Sequence, residues 1–308
     1  MDIFTSSQSQ ILFRMDRLAT LYLSHPLRRL AASSRSSFTP ILMYHSISEP
    51  DSDGRHPYFE TATSPRVFAE QMKFLRETGY RTVSLNEAVM HVESGEQDSK
   101  PRVALTFDDG FQDFYTNAFP ILENYQFTAT VFLPTRYISE ESRQFKGWHC
   151  MTWREVREMH SAGIAFGSHS VSHQQLNTLT VSEVEQEIRG SKETIEDKLG
   201  YPVDSFSYPF AFPETDRPFK RRLRDLLVAQ GYKNGVTTVI GTCRAKSDCF
   251  FLPRLPVNSW DDLRLFRAKL EGAYDWLHYF QYAAKLGKAR GFGCPCSKGE
   301  EEVHIAPD

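Results

Sequence analysis

Two clusters of polar residues in this 308-residue chain have the types and spacing that metal-assisted chemistry needs. The first is Thr106-Phe107-Asp108-Asp109-Gly110, where two adjacent carboxylates directly follow an apolar run. Ionised neighbours of this kind repel, and burying both is costly unless a cation or a shared proton intervenes. One Asp on a metal ion and the other kept as a base would resolve the conflict. The plainer alternative is a strand-end pair capping the next loop. The second cluster is Gly167-Ser168-His169-Ser170-Val171-Ser172-His173. Its two His at i and i+4 would share one face of a helical turn and could meet one metal. Asp109, His169 and His173 together make a two-His, one-carboxylate site with open positions. That donor set suits one divalent ion, Zn²⁺ first but also Fe²⁺, Co²⁺, Ni²⁺ or Mn²⁺. Such an ion lowers the pKa of a water and polarises a carbonyl, and Asp108 stands beside it to take the proton.

Chemistry of this kind needs a frame that brings residues 60 positions apart together. The runs 41–44, 80–84, 103–107, 128–133, 164–167, 205–208, 235–239 and 251–257 read as strands. Helices alternate with them. Ser64-Pro65 is an N-cap followed by Pro at the first helical position, and Gly79 closes that helix. Ser84 caps a helix through Val92, and 114–126 is helical near its end despite Pro120. Thr152-Trp153-Arg154-Glu155 is a capping box whose helix ends at Gly163. Ser182-Glu183-Val184-Glu185 reads as a second, with a helix to Leu199 stopped by Gly200. A further helix lies between Pro218 and Gln230. This alternation predicts an α/β fold with a parallel sheet, and no Gly-rich dinucleotide fingerprint follows the first strand. A distorted (β/α) barrel of about seven strands is therefore expected over residues 41–258, with its chemistry at the C-terminal strand ends. Both polar clusters occupy such ends.

The two clusters in this order, with Ser207-Tyr208-Pro209-Phe210, resemble the polysaccharide deacetylase (NodB-homology) family of carbohydrate esterases. The segments Ile41-Leu42-Met43-Tyr44-His45-Ser46, Thr152-Trp153 through Gly163 and Leu252-Pro253-Arg254-Leu255 resemble it too, so the likeness spans roughly 41–258. It implies Asp108 as catalytic base, Asp109, His169 and His173 as metal ligands, and hydrolysis of an N-acetyl group from an amino sugar with release of acetate. Two departures stand out. Many members carry an Arg just before the third motif, and this chain reads Phe206-Ser207-Tyr208 there. Arg254, at the end of a later strand, is the candidate to supply the positive charge beside Asp108. The family's late Leu-x-His motif is also missing. His45, ending the first strand, is the candidate to protonate the leaving nitrogen, as in the poly-N-acetylglucosamine deacetylase branch. A backbone N–H near Tyr208, Pro209 and Phe210 would hold the oxyanion. Tyr208, Phe210, Trp148 and Trp153 are candidate walls or sugar platforms, the two Trp more readily as core.

Composition sets the outer bounds. With 40% hydrophobic residues the chain can bury a core, and 36 basic against 39 acidic residues argue against an obligate nucleic-acid partner. An N-acetylated glycan, with an exopolysaccharide precursor as one candidate, is the expected partner. No apolar run is long enough for a transmembrane span, and the N-terminus lacks a secretory signal. A cytoplasmic location, or one peripheral to the inner membrane face, is expected from that. Residues 1–40 form a basic segment with Arg14, Arg17, Arg28, Arg29 and Arg35 against Asp2 and Asp16. Apolar residues at helical spacing within 11–30 suit either a helix packed on the domain or a helix on an anionic membrane surface. Residues 259–290 read as a helical extension and 291–308 as a loose tail. The five Cys read as structural or incidental, with a Cys243–Cys249 bridge open. The rival functions are an O-acetyl-glycan esterase, a weakly active carbohydrate-binding protein on the same scaffold, and a two-His-one-carboxylate iron oxygenase. The last is opposed by the strand–helix alternation and the Asp-before-His order.

Overall fold

The computed structural model describes residues 14–30, 38–50, 57–95 and 100–289. Seven short apolar segments pair in parallel around a closed barrel: β1 (Ile41–Tyr44), β2 (Arg102–Phe107), β3 (Thr130–Leu133), β4 (Ala165–Ser168), β5 (Ser205–Ser207), β6 (Asn234–Ile240) and β7 (Leu252–Pro256). Each pairs with the next in chain order, and β7 returns to β1 through Leu255 opposite Leu42. The expected run at 80–84 is a two-residue strand, Arg81–Thr82, beside the start of β2.

Strand residues alternate between two layers, as the period of two requires. Val103, Leu105 and Phe107 of β2 join the main core packed against the helices, whereas Ala104 joins a smaller second cluster with Ile41, Phe132, Val236 and Leu252. Phe132 takes up so much room that its neighbour on β4 must be Gly167. A Cβ there would lie 2.6 Å from the Phe132 ring.

Helices α1 (Pro65–Glu77), α2 (Leu85–Ser94), α3 (Phe119–Tyr125), α4 (Trp153–Ser161), α5 (Val181–Leu199) and α6 (Arg217–Ala229) connect the strands. All but α3 start at a side chain that satisfies an otherwise orphaned N–H group, each worth about 1 kcal/mol. Ser64 caps α1, and Ser84 with Glu87 and Thr152 with Glu155 form capping boxes. The box at α5 is Thr180 with Glu183, two residues before the one expected at Ser182. Thr180 and Ser182 offer equivalent hydroxyls, and the extended backbone at Thr180 decides between them.

Beyond β7 a single long helix was expected. Two are present, α7 (Leu263–Leu270) and α8 (Leu277–Ala289), with a turn between them where Gly272 adopts φ +74°. The N-terminal helix over residues 15–30 packs on this region. Its buried Asp16 accepts from Tyr274 Oη at 2.6 Å, Trp276 Nε1 donates to Thr20 at 3.0 Å, and Leu21 packs on Ala268 and Ala273. Among the described residues no helix is long and apolar enough to cross a membrane. Cys150, Cys243 and Cys249 are free thiols, so the Cys243–Cys249 bridge is absent. Cys294, Cys296 and the expected tail 291–308 lie outside the described residues.

Candidate active site

The C-terminal ends of β1, β2, β4 and β5 bring their side chains to one mostly buried cluster. Asp108 remains in the barrel ladder through its N–H to Tyr44 O at 3.0 Å. The chain then turns sharply, with Asp109 at φ +71° and Gly110 at +64°. Asp is among the residues that tolerate this left-handed region. The turn sends the two neighbouring carboxylates to different partners. His169 follows β4 and donates its N–H to Leu133 O at 3.0 Å.

The two His do not share a helical turn, as their spacing had suggested. Residues 169–175 form an irregular loop with Ser170 at φ +64° and His173 at φ +55°. Side-chain hydrogen bonds hold it in place of a helical ladder. Glu187 on α5 accepts from the Val171 and Ser172 N–H groups at 2.9 and 2.8 Å, and from Ser172 Oγ at 2.6 Å. Ser170 Oγ accepts from His173 N–H at 3.0 Å. The imidazoles still meet, with ring centres 4.7 Å apart.

Among the described residues, Asp109, His169 and His173 form a buried cluster whose ligand atoms lie within 4.8 Å of one another. Both Nε2 atoms face Asp109 Oδ1, at 3.6 Å from His169 and 3.2 Å from His173. Oδ1 is buried with no hydrogen-bond donor. The Ser207 carbonyl, which can only accept, lies 2.8 Å from His169 Nδ1. It places the proton on Nδ1 and leaves the Nε2 lone pair turned toward Oδ1, the arrangement of a metal-ligating imidazole. Burial depresses His173 to about 4, against the pull of Asp109, so it is neutral at pH 7. Two imidazoles and one carboxylate, all buried, fit a divalent ion of the zinc type.

Asp108 has a different partner. Arg254 is fully buried on β7 and reaches across the barrel interior. Its guanidinium grips Asp108 with two bonds, Nη1 to Oδ1 at 2.8 Å and Nη2 to Oδ2 at 2.6 Å. The other three N–H groups go to Thr106 Oγ1, Ser207 Oγ and Thr237 O at 3.1, 3.2 and 3.0 Å. All five donors are therefore used, which a lysine could not reproduce. Burial pushes the Asp108 carboxyl up, but Arg254 outweighs it and lowers the group to about 2. His45, half-buried at the end of β1, lies within the fields of Asp108, Asp109, Lys146 and Arg254. Burial lowers its pKa despite the two carboxylates, so it too is neutral at pH 7.

Comparisons with known proteins agree with this fold. A family model for polysaccharide deacetylase matches residues 95–234. The chain is 29% identical over 232 residues to YxkH of Bacillus subtilis (strain 168), covering 75% of this chain and 76% of that one. Its structure superposes on the Streptococcus pyogenes deacetylase PplD, solved in complex with acetate, with a TM-score of 0.67 and 25% identity over 77% of this chain and 99% of that one. The chain thus carries a polysaccharide deacetylase match over residues 95–234, and its structural neighbour is a deacetylase. A poly-beta-1,6-N-acetyl-D-glucosamine N-deacetylase of Staphylococcus aureus (strain MSSA476) is 23% identical over 70% of this chain and 78% of its own.

The residues expected to hold an oxyanion divide. Tyr208 N–H is consumed by Val236 O at 3.0 Å, and its ring is buried against Phe212 and Phe219. Pro209 has no N–H to offer. Phe210 sits at φ +60°, is 46% exposed, and places its ring 4.7 Å from that of His173. Tyr208 is therefore a core residue rather than a wall, because the ladder between β5 and β6 captures its backbone. Trp153 is buried, while Trp148 is partly buried near Phe111. The sequence reading assigned no role to Ser207, Glu187 or Lys146. Ser207 stood inside a noted motif, but the other two carry no local signal.

Proposed function

We propose that this protein removes N-acetyl groups from amino sugars of a poly- or oligosaccharide, releasing acetate and leaving a free amine. The observation that carries this reading is the buried Asp109–His169–His173 cluster with an arginine-pinned Asp108 beside it. In it, Asp109, His169 and His173 hold one divalent ion, with zinc preferred and Co, Ni, Mn or Fe as alternatives. When bound, the ion acidifies a water and polarises the acetyl carbonyl. Asp108, kept ionised and oriented by Arg254, accepts the proton of the attacking water. It is a weak base at about 2, so the transfer depends on that water being acidified. His45 starts neutral, so the proton it gives to the departing nitrogen is one released during the cycle. The Phe210 N–H remains the candidate oxyanion donor, and the exposed Phe210 ring a sugar platform. The named relative acting on poly-beta-1,6-N-acetyl-D-glucosamine supports an exopolysaccharide or its precursor as substrate.

Residues 41–258 would form the catalytic unit, with 1–40, 259–290 and 291–308 as appended segments. Membrane contact through residues 11–30 would have to use the outer face of the N-terminal helix. Met15, Tyr22, Leu23, Leu27 and Leu30 are exposed there. Co-sedimentation with anionic vesicles tests this, and no binding refutes it. The central test is acetate release from matched N-acetylated and O-acetylated oligosaccharides, with and without chelator. Release from N-acetyl substrates, abolished by chelator and restored by Zn²⁺ or Co²⁺, is expected. Preference for the O-acetyl set would make the protein an esterase, and no release from either would sink the catalytic reading.

A further inference from the structure

A half-exposed lysine reaches the one Asp109 oxygen that the two histidines do not face. Lys146 Nζ lies 3.2 Å from Asp109 Oδ2, whereas both Nε2 atoms face Oδ1. The lysine is delivered by a small antiparallel hairpin between β3 and α4, Gln144–Phe145 against Trp148–His149. Its two-residue turn is Lys146-Gly147, with φ +52° and +81°. Turns of this hand match the twist of hairpin strands but favour Asn, Asp or Gly. A lysine held there is locally strained, a condition that persists where surrounding contacts over-determine it. Those contacts are present: the ammonium lies 4.7 Å from the Phe145 ring centre and 5.8 Å from that of Phe210. Phe145 is itself buried, 5.1 Å from His173. The amine is thus aimed at the site rather than left on a solvated face.

We propose that Lys146 is a positioning residue for Asp109: by occupying Oδ2 it presents Oδ1 alone to the metal. A carboxylate can hold an ion through one oxygen or two, and the partner of the second oxygen decides which. Keeping Asp109 to a single ligand atom preserves a coordination position for water or the substrate carbonyl. This inference rests on the metal-centre reading above and concerns a residue outside the three ligands.

The test uses the full chain loaded with Co²⁺, comparing visible spectra of wild type, Lys146→Met and Lys146→Arg, with His169→Ala as the ligand-loss control. Thermal melts confirm that each variant is folded. Lys146→Met should shift the energy and intensity of the cobalt bands as Oδ2 joins the ion. Lys146→Arg, which retains a donor, should stay close to wild type. Turnover of Lys146→Met should fall about 10–100-fold, the usual effect of losing an outer-shell partner. A Lys146→Met spectrum that superimposes on wild type overturns the proposal whatever happens to turnover; a drop in turnover alone would mean that Lys146 contacts the glycan. If wild type takes up no stoichiometric Co²⁺, the metal-centre reading itself has failed, a result separable from the other two.

Discussion

Replacing Arg254 by Met tests the electrostatic logic of the barrel interior most directly. The guanidinium is fully buried and binds a carboxylate that is only 2% exposed. Lowering Asp108 from 3.8 to about 2 corresponds to roughly 2.5 kcal/mol of stability at neutral pH. Removing one partner of a buried pair typically costs about 3–5 kcal/mol, because the other charge is left uncompensated. The two routes agree on a loss of about 3 kcal/mol at pH 7, measured as a shift in urea unfolding. The pH dependence has a defined sign. A carboxyl depressed by folding contributes stability above its unfolded value of 3.8, and loses it as pH falls toward about 2. Without the arginine, burial raises the carboxyl instead, so the variant's penalty starts to lift at a higher pH than that. The gap between variant and wild type therefore narrows on acidification. Adding Asp108→Asn to the Arg254→Met chain should recover much of the loss, since the double variant buries no charge at this pair. A loss below about 0.5 kcal/mol, the scale of ordinary surface changes, would refute the reasoning. So would a gap independent of pH, or no recovery in the double variant.

Three further outcomes follow from the site. Asp108→Asn should keep its metal yet lose about 10²–10⁴-fold in acetate release, the range for a general base; loss of metal instead would reverse the roles of the two adjacent aspartates. His169→Ala should fall well below one metal per chain by elemental analysis, and unchanged content would remove His169 from the ligand set. His45→Ala should lower turnover by about 10²-fold or more at pH 7, and wild-type acetate release would show that the leaving nitrogen takes its proton elsewhere.

Much of the frame was legible because it is written locally. All seven barrel strands fall within two residues of the apolar runs expected for them. The helices between those runs mostly start at a capping residue, whose chemistry acts over three or four positions. The break at Gly272 was not legible, since Gly is tolerated inside a helical pattern until the surrounding fold uses its positive φ. The His169–His173 spacing misled for a related reason. An i, i+4 pair is helical only if the backbone between is free to form a ladder. Here Glu187, 14 residues beyond His173, accepts two of the N–H groups. Tyr208 looked like a site residue because it stands in the Ser207-Tyr208-Pro209-Phe210 motif, but the alternation along β5 turns its side chain into the core.

Sequence alone carries the motifs that resemble the family, the alternation that makes a barrel, and the residue types able to hold a metal and move a proton. Each of these is carried by neighbours in the chain. Only the tertiary structure decided which partner each of those groups receives. Arg254 lies 146 positions from Asp108 and Lys146 lies 37 from Asp109. Barrel closure brings the first pair together, and a hairpin turn held at positive φ delivers the second. Charge pairing in a buried site depends on distance and desolvation rather than on order along the chain. The different surroundings of two adjacent aspartates are accordingly a property of the fold, an arginine on one and two histidines and a lysine on the other.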